Sequence, residues 1–148
     1  MVEEQLVVFR LGKEEYALSI SSVREIIQYQ GATTLPNSPD YFKGIINLRG
    51  KLIPVIDITI KFVLDIEKVS DRRAIIIETE DQVFAIIVDE VTEVKKLQES
   101  EIEVVQNTVS GDNAYIRGVA KDGNRLIILL NAEKILGSAA LELLAEVS

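Results

Sequence analysis

Acid–base chemistry in this chain would have to run on carboxylates, because it contains no cysteine and no histidine. Disulfides, thiolate nucleophiles, Fe–S clusters and every Ser-His or Cys-His arrangement are excluded, and the usual zinc ligand is missing. The 24 Asp and Glu residues could work without histidine only where two acids converge in one pocket. No stretch groups them that way. Asp57, Asp65, Asp71, Asp81 and Asp89 do not have the spacing of a calcium loop and are expected to be caps, turns and solvated surface. No catalytic residue, metal or cofactor is therefore expected. Two charged residues stand out by context: Arg49, in the turn Asn47-Leu48-Arg49-Gly50, and Glu25, in Val23-Arg24-Glu25-Ile26. Taken singly, the first is a solvated turn cation and the second a polar residue on a strand face.

The elements that carry these residues are strands. Leu6–Leu11 is a strand, and Gly12-Lys13-Glu14 turns it into Tyr16-Ala17-Leu18. Arg24–Tyr29 is rich in β-branched and aromatic residues and is expected to be a third. Leu35-Pro36-Asn37-Ser38-Pro39 is a rigid loop, because each proline fixes φ and restricts its predecessor. Asp40-Tyr41-Phe42 is expected to form a helical turn ending at Gly44. Gly44–Leu48 and Lys51–Ile56 form a hairpin around Arg49-Gly50, and Pro54 implies a free edge or a bulge in its second arm. Asp57 is a good N-cap for an apolar helix over Ile58–Leu64. Ala74–Glu78, Gln82–Val88 and Val91–Lys95 are strands, followed by a polar connection from Gln98 to Asn113. Tyr115–Ala120 and Arg125–Leu130 form a hairpin across Lys121-Asp122-Gly123-Asn124. Asn131 caps a helix that Gly137 ends. Ser138 caps a C-terminal amphipathic helix with Leu141, Leu144 and Val147 on one stripe. Many short strands with few helices predict small β-barrels rather than an α/β sheet.

The same script runs twice. Tyr16, Ala17, Leu18, Ile20, Val23, Glu25 and Ile26 match Phe84, Ala85, Ile86, Val88, Val91, Glu93 and Val94 at a constant offset of 68 (84 − 16). Gly44, Ile45, Lys51, Leu52, Ile53, Val55, Ile56 and Asp57 match Gly118, Val119, Arg125, Leu126, Ile127, Leu129, Leu130 and Asn131 at 74 (118 − 44). Two ordered blocks predict a single domain over 1–148 built from pseudo-repeats 4–65 and 72–137, with strand exchange at the boundary allowed. The duplicated apolar positions Val23, Ile26, Val91 and Val94 divide between core and the cleft between the two units, where an amphipathic helix could lie.

Composition fixes the class. At 47% hydrophobic and 27% charged over 148 residues, the chain can bury a core. Its net charge of −8 argues against DNA or RNA partners. The start has no signal-peptide pattern, and no apolar run approaches the roughly 20 residues of a membrane span. A cytoplasmic protein without direct membrane insertion is expected.

Residues 41–57, Tyr-Phe-Lys-Gly-Ile-Ile-Asn-Leu-Arg-Gly-Lys-Leu-Ile-Pro-Val-Ile-Asp, closely resemble the signature of the CheW family, the coupling proteins of bacterial chemotaxis. The resemblance runs from Leu6 to about Leu144. It takes in Phe9-x-Leu11-Gly12-x-Glu14-Glu15-Tyr16, Val23-x-Glu25-Ile26 and Val88-Asp89-x-Val91. It implies a mainly β fold of two SH3-like, five-stranded β-barrel subdomains with short helices and a C-terminal helix. It also implies a non-catalytic adaptor that bridges the cytoplasmic tip of chemoreceptors to the histidine kinase CheA, at membrane-associated receptor arrays. With no phosphotransfer histidine, ATP-binding segment or receiver domain, the chain is expected to be the stand-alone adaptor, and Met1 and the C-terminal helix favour a complete protein. In the family, the positions matching Glu25 and Arg49 lie close together and matter for coupling. A carboxylate–guanidinium pair there would orient the hairpin beside a protein-binding face. The implied protein-binding set is Val23, Glu25, Ile26, Gly44, Asn47, Arg49, Gly50, Val91 and Val94, with Gly44 and Gly50 also permitting tight turns.

Overall fold

Runs of Val, Ile, Leu and Phe broken by short turns become eleven strands in the computed structural model, which describes residues 3–61, 71–80, 82–104 and 115–136. They are β1 (Glu3–Leu11), β2 (Glu14–Ser19), β3 (Val23–Gln28), β4 (Phe42–Leu48), β5 (Lys51–Ile56) and β6 (Arg73–Glu78). The chain continues with β7 (Val83–Val88), β8 (Glu90–Gln98), β9 (Ile102–Val104), β10 (Ile116–Asp122) and β11 (Arg125–Leu130). A four-residue helix α1 (Ile58–Lys61) follows β5.

The strands form two sheets. One has six, in the order β8-β1-β2-β11-β10-β9; the other has five, in the order β3-β6-β7-β5-β4. Without β9 the two orders are the same, with the halves of the chain exchanged. Each sheet joins the first two strands of one half to the last three of the other. The registers match as well. Phe9 faces Tyr16 as Ile77 faces Phe84, a shift of 68 on both sides. Gly44 faces Val55 as Gly118 faces Leu129, a shift of 74. Ile26 faces Ile75 as Val94 faces Val7. In the parallel pairs, Val55 faces Ala85 as Leu129 faces Ala17. Even the bulges coincide, between Val23 and Glu25 as between Val91 and Glu93, and between Phe42 and Gly44 as between Ile116 and Gly118.

Three apolar clusters result. The central one lies between the sheets and joins Phe9, Leu11, Tyr16 and Leu18 to Ile75, Ile77, Phe84 and Ile86. Phe9 and Tyr16 stack with ring centres 6.0 Å apart. Each sheet also curls around a core of its own, Leu6, Val8, Leu97, Ile102, Ile127 and Leu129 in one and Ile53, Val55, Ala74, Ile76, Ala85 and Ile87 in the other. Strands between a private core and the shared one are covered on both faces. Ala74–Ile77 and Phe84–Val88 are accordingly apolar and buried throughout.

Some local expectations change. Phe42 does not extend a helical turn; its N–H bonds to the Pro39 carbonyl at 3.0 Å and it begins β4, because its side chain enters the central core. The polar connection after Gln98 contains a 3-10 turn (Glu99–Glu101) and then β9, a sixth strand that the short segment Ile102–Val104 hides in sequence. Pro54 sits in an interior strand, but β5 meets β7 only at Val55 and Ile56, so the missing N–H falls where that side has no ladder. The bulge is in the facing strand β4. Asp57 does cap, its Oδ1 accepting from the Thr59 N–H at 3.0 Å, yet it is buried beside Arg72 at 3.9 Å rather than solvated. The helix after Asn131 is described as a 3-10 turn over Ala132–Lys134, capped by the Asn131 side chain. Asp65, Asp81, Gly137 and the predicted C-terminal helix lie outside the described residues.

Candidate functional site

The β4–β5 hairpin carries the motif residues on a two-residue turn. Arg49 (φ 52) and Gly50 (φ 87) both take positive φ, the type I′ pattern whose twist suits a two-residue hairpin. Asn47 Oδ1 accepts the Gly50 N–H at 2.9 Å and holds that turn. The Arg49 guanidinium donates to Glu25 on β3. β3 and β4 are the outer strands of the five-stranded sheet, so this pair draws one edge of the sheet toward the hairpin at the other. Gly44 has a different role from the turn glycines. It is buried at the β4 bulge with φ +133, and a Cβ there would lie 2.1 Å from the Thr33 carbonyl oxygen. A buried glycine offers no side chain to a partner.

The other sheet builds the same brace from different residues. Glu93, at the place corresponding to Glu25, accepts from Arg125 at 2.9 Å. Arg125 also grips Glu15 with both arms of its fork, Nε to Oε1 at 3.1 Å, and meets Asp122 at 3.3 Å. Lys95 pairs with Asp122 at 2.7 Å. One cation thus ties β11 to β2, β8 and the end of β10. In the sequence Arg125 stands out only as the counterpart of Lys51. The signal that could have found it was the doubled pattern itself, which repeats a cation and a glutamate at matching places.

The four duplicated apolar positions divide by face. Val23 and Val91 are half-buried and pack against the central core. Ile26 and Val94, on the opposite faces of β3 and β8, are 41% and 55% exposed. Leu52 and Leu126, also counterparts, are exposed on the hairpins. The named set is therefore not one patch. Val23, Glu25 and Arg49 lie on the inner side of β3 or reach it, while Ile26 and Val94 look outward from the two outer strands.

The ion pairs are expected to make the fold sensitive to acid. Hydrogen bonds from Arg125 hold the Glu15 carboxyl below its ordinary value, Arg117 does the same for Glu4, and Lys95 for Asp122. A carboxylate whose pKa is depressed in the folded state contributes stability above its unfolded value, and loses it as pH falls through the folded one. The melting temperature is expected to be level near neutrality and to fall below about pH 4.5, the ordinary glutamate value. Arg125→Met should flatten that decline in a series of melts from pH 7 to pH 3. An unchanged decline would mean that these pairs do not set it.

Known proteins share this architecture. A family model described as the CheW-like domain matches residues 5–140. The chain is 36% identical to the chemotaxis protein CheW of Bacillus subtilis, covering 90% of this chain and 86% of that protein. It is 35% identical to the chemotaxis protein CheW of Helicobacter pylori, covering 89% and 81%. The crystal structure of the scaffolding protein TtCheW from Thermoanaerobacter tengcongensis superposes with a TM-score of 0.80 at 38% identity, over 88% of this chain and 86% of that one.

Proposed function

Because the chain belongs to the CheW-like domain family, with relatives that are chemotaxis proteins and a solved relative that is a scaffolding protein, we propose that it couples chemoreceptors to the histidine kinase CheA without catalysing a reaction. The observation that carries this reading is the Arg49–Glu25 pair. It ties the hairpin tip to β3 at Glu25, two residues along from the half-buried Val23, which packs against the core shared by the two sheets. An amphipathic helix from a receptor tip would lie in the groove between the sheets, against Val23 and Val91, with Arg49 and Glu25 setting its orientation. The outward-facing Ile26 and Val94 give the kinase regulatory domain a separate contact. Asn47 and Gly50 serve by shaping the hairpin, and Gly44 by keeping β4 in place.

Each sheet is read as an SH3-like barrel assembled from both pseudo-repeats, 4–65 and 72–137, with the strand exchange described above. The shared strand order and the registers at 68 and 74 support that division. No helix among the described residues is long and apolar enough to cross a membrane. The site of action proposed is the cytoplasmic face of receptor arrays, reached through protein contacts. The direct test is a pull-down from a chemotactic bacterium's lysate, which should recover a histidine kinase and a methyl-accepting receptor. Recovery of neither would sink the proposal.

Where the valines sit changes which variants are informative. Val23→Asp or Val91→Asp would set a carboxylate against the central core and cost stability as well as binding. Ile26→Asp and Val94→Asp are the clean tests. Each is expected to weaken kinase binding by about 2 kcal/mol, as for an interface hot spot, with the melt unchanged. Raising salt to about 0.5 M, where the Debye length is roughly 4 Å, should weaken binding much less. Affinity that collapses with salt while both variants bind normally would make the contact electrostatic instead.

A further inference from the structure

The outer strand that carries Glu25 and Ile26 is lightly held. Among the described strands β3 faces only β6, through five residue pairs from Val23 with Ile77 to Gln28 with Arg73. Its counterpart β8 faces β1 through eight. Past Gln28 one more backbone bond follows, from the Tyr29 N–H to the Arg72 carbonyl at 3.0 Å. An outer strand on so short a ladder opens more readily than an interior one. The Arg49–Glu25 pair ties down its first half.

A side chain holds the other end. Arg72 sets its guanidinium over the Tyr29 ring, 5.5 Å from the ring centre, and places Nη1 3.9 Å from Asp57 Oδ2. A guanidinium suits this place because its flat face can lie on a ring while its edge meets a carboxylate. Asp57 directly follows β5 and is itself fixed. Its Oδ1 accepts from the Thr59 N–H at 3.0 Å and from the Thr59 hydroxyl, and its N–H donates to the Tyr41 carbonyl at 2.7 Å. Tyr29 packs against the core of the five-stranded sheet. Arg72 therefore spans from the end of β3 to the end of β5, past β6 and β7 that lie between them. The Asp57 side chain is 1% exposed and that of Arg72 20%, so water screens the pair little.

The sister sheet has a different corner. At the offsets of 68 and 74, Leu97 stands for Tyr29, Glu4 for Arg72 and Asn131 for Asp57. Glu4 turns to Arg117 instead, and Asn131 caps its own turn. There β8 is secured by its longer ladder and by Leu97, which is buried in that sheet's core. The charged clamp belongs to the short strand.

We infer that Arg72 is a positioning residue: by bridging Tyr29 and Asp57 it fixes the far end of β3 against β5, so that the strand presenting Glu25 and Ile26 is pinned at both ends. The consequence for binding rests on the coupling role proposed above; the placement of β3 does not.

Amide hydrogen exchange on the free, whole chain tests the placement, and binding of kinase and receptor tests the consequence. Removing Arg72 alone would strand a buried carboxylate, so the variant is Arg72→Met with Asp57→Asn, the neutral residue that the sister sheet has there. Exchange at the β3 amides is expected to quicken, and kinase binding to weaken, each by about tenfold or more, with the β7 amides unchanged. Tyr29→Phe keeps the ring under the guanidinium and should leave all three as in the parent chain. Should the double variant fail to fold, Tyr29→Leu, which removes the ring and keeps the ion pair, should quicken the same β3 amides. Unchanged exchange in β3 would overturn the inference. Equal quickening in β3 and β7 would overturn it too, because Arg72 would then support the sheet as a whole. A loosened β3 with undiminished binding would overturn the positioning role. If the parent chain binds neither kinase nor receptor, the coupling reading fails, while exchange in the free chain still decides for or against the clamp.

Discussion

Arg49→Glu is expected to abolish co-sedimentation with receptor and kinase while leaving the fold intact. The Arg49 side chain is 70% exposed and Glu25 27% exposed, and an exposed pair of this kind contributes only about 0–1 kcal/mol. Position 49 has a left-handed backbone, and glutamate tolerates it no better and no worse than arginine, so backbone strain is matched between the two forms. What changes is the field at the hairpin tip, where two carboxylates would face each other and push the tip away from β3. Melts should shift by no more than a few degrees while binding falls at least tenfold. The double variant Arg49→Glu with Glu25→Arg separates two roles of the cation. If its role is to hold the hairpin, the swapped pair should recover part of the binding. If it meets a partner carboxylate directly, it should not. A melting temperature lowered by more than about 10 °C, equivalent to roughly 2–5 kcal/mol for a domain of this size, would instead make Arg49 a structural residue.

Gly44→Ala is expected to have the largest effect on stability of any single methyl added to the described residues. The new Cβ would lie 2.1 Å from the Thr33 carbonyl oxygen and 2.5 Å from its carbon, on a backbone at φ +133. Both obstacles are main-chain atoms of the segment that bridges to Ile45, so neither can rotate away. Relief requires breaking that bridge or shifting β4. We expect a loss of about 3 kcal/mol or more, in the range kept for strained special backbone positions. Gly50→Ala is the control. Gly50 also has positive φ, +87, but nothing lies within 4 Å of its Cβ position, so only the conformational cost of about 1 kcal/mol applies. Urea unfolding of both variants decides the matter, and equal losses would show that the close approach to Thr33 is not what demands glycine.

Local elements were legible in the sequence because their causes are local. Alternating apolar residues mark the strands to within a few residues, and Arg49-Gly50 and Gly123-Asn124 mark two of the turns. Asp57 and Asn131 announce their caps, each accepting the N–H two residues on. The offsets of 68 and 74 are also sequence facts, and they return unchanged in the strand registers. Sequence left β9 unread because three residues are too few to show a period. It also left open which strands pair. A period of two fixes that neighbouring side chains point to opposite faces, but not which face is covered. Val23 and Ile26 are equally apolar, and only the placement of β3 at the rim of the central core makes the first half-buried and the second exposed. Strand choice is decided by closing three cores at once. β3 joins β6, and β8 joins β1, because each sheet completes its own core with strands from the other half of the chain. That exchange brings Arg125 to Glu15 across 110 residues, and the closing of the five-stranded sheet brings Arg49 to Glu25; no local pattern contains either meeting.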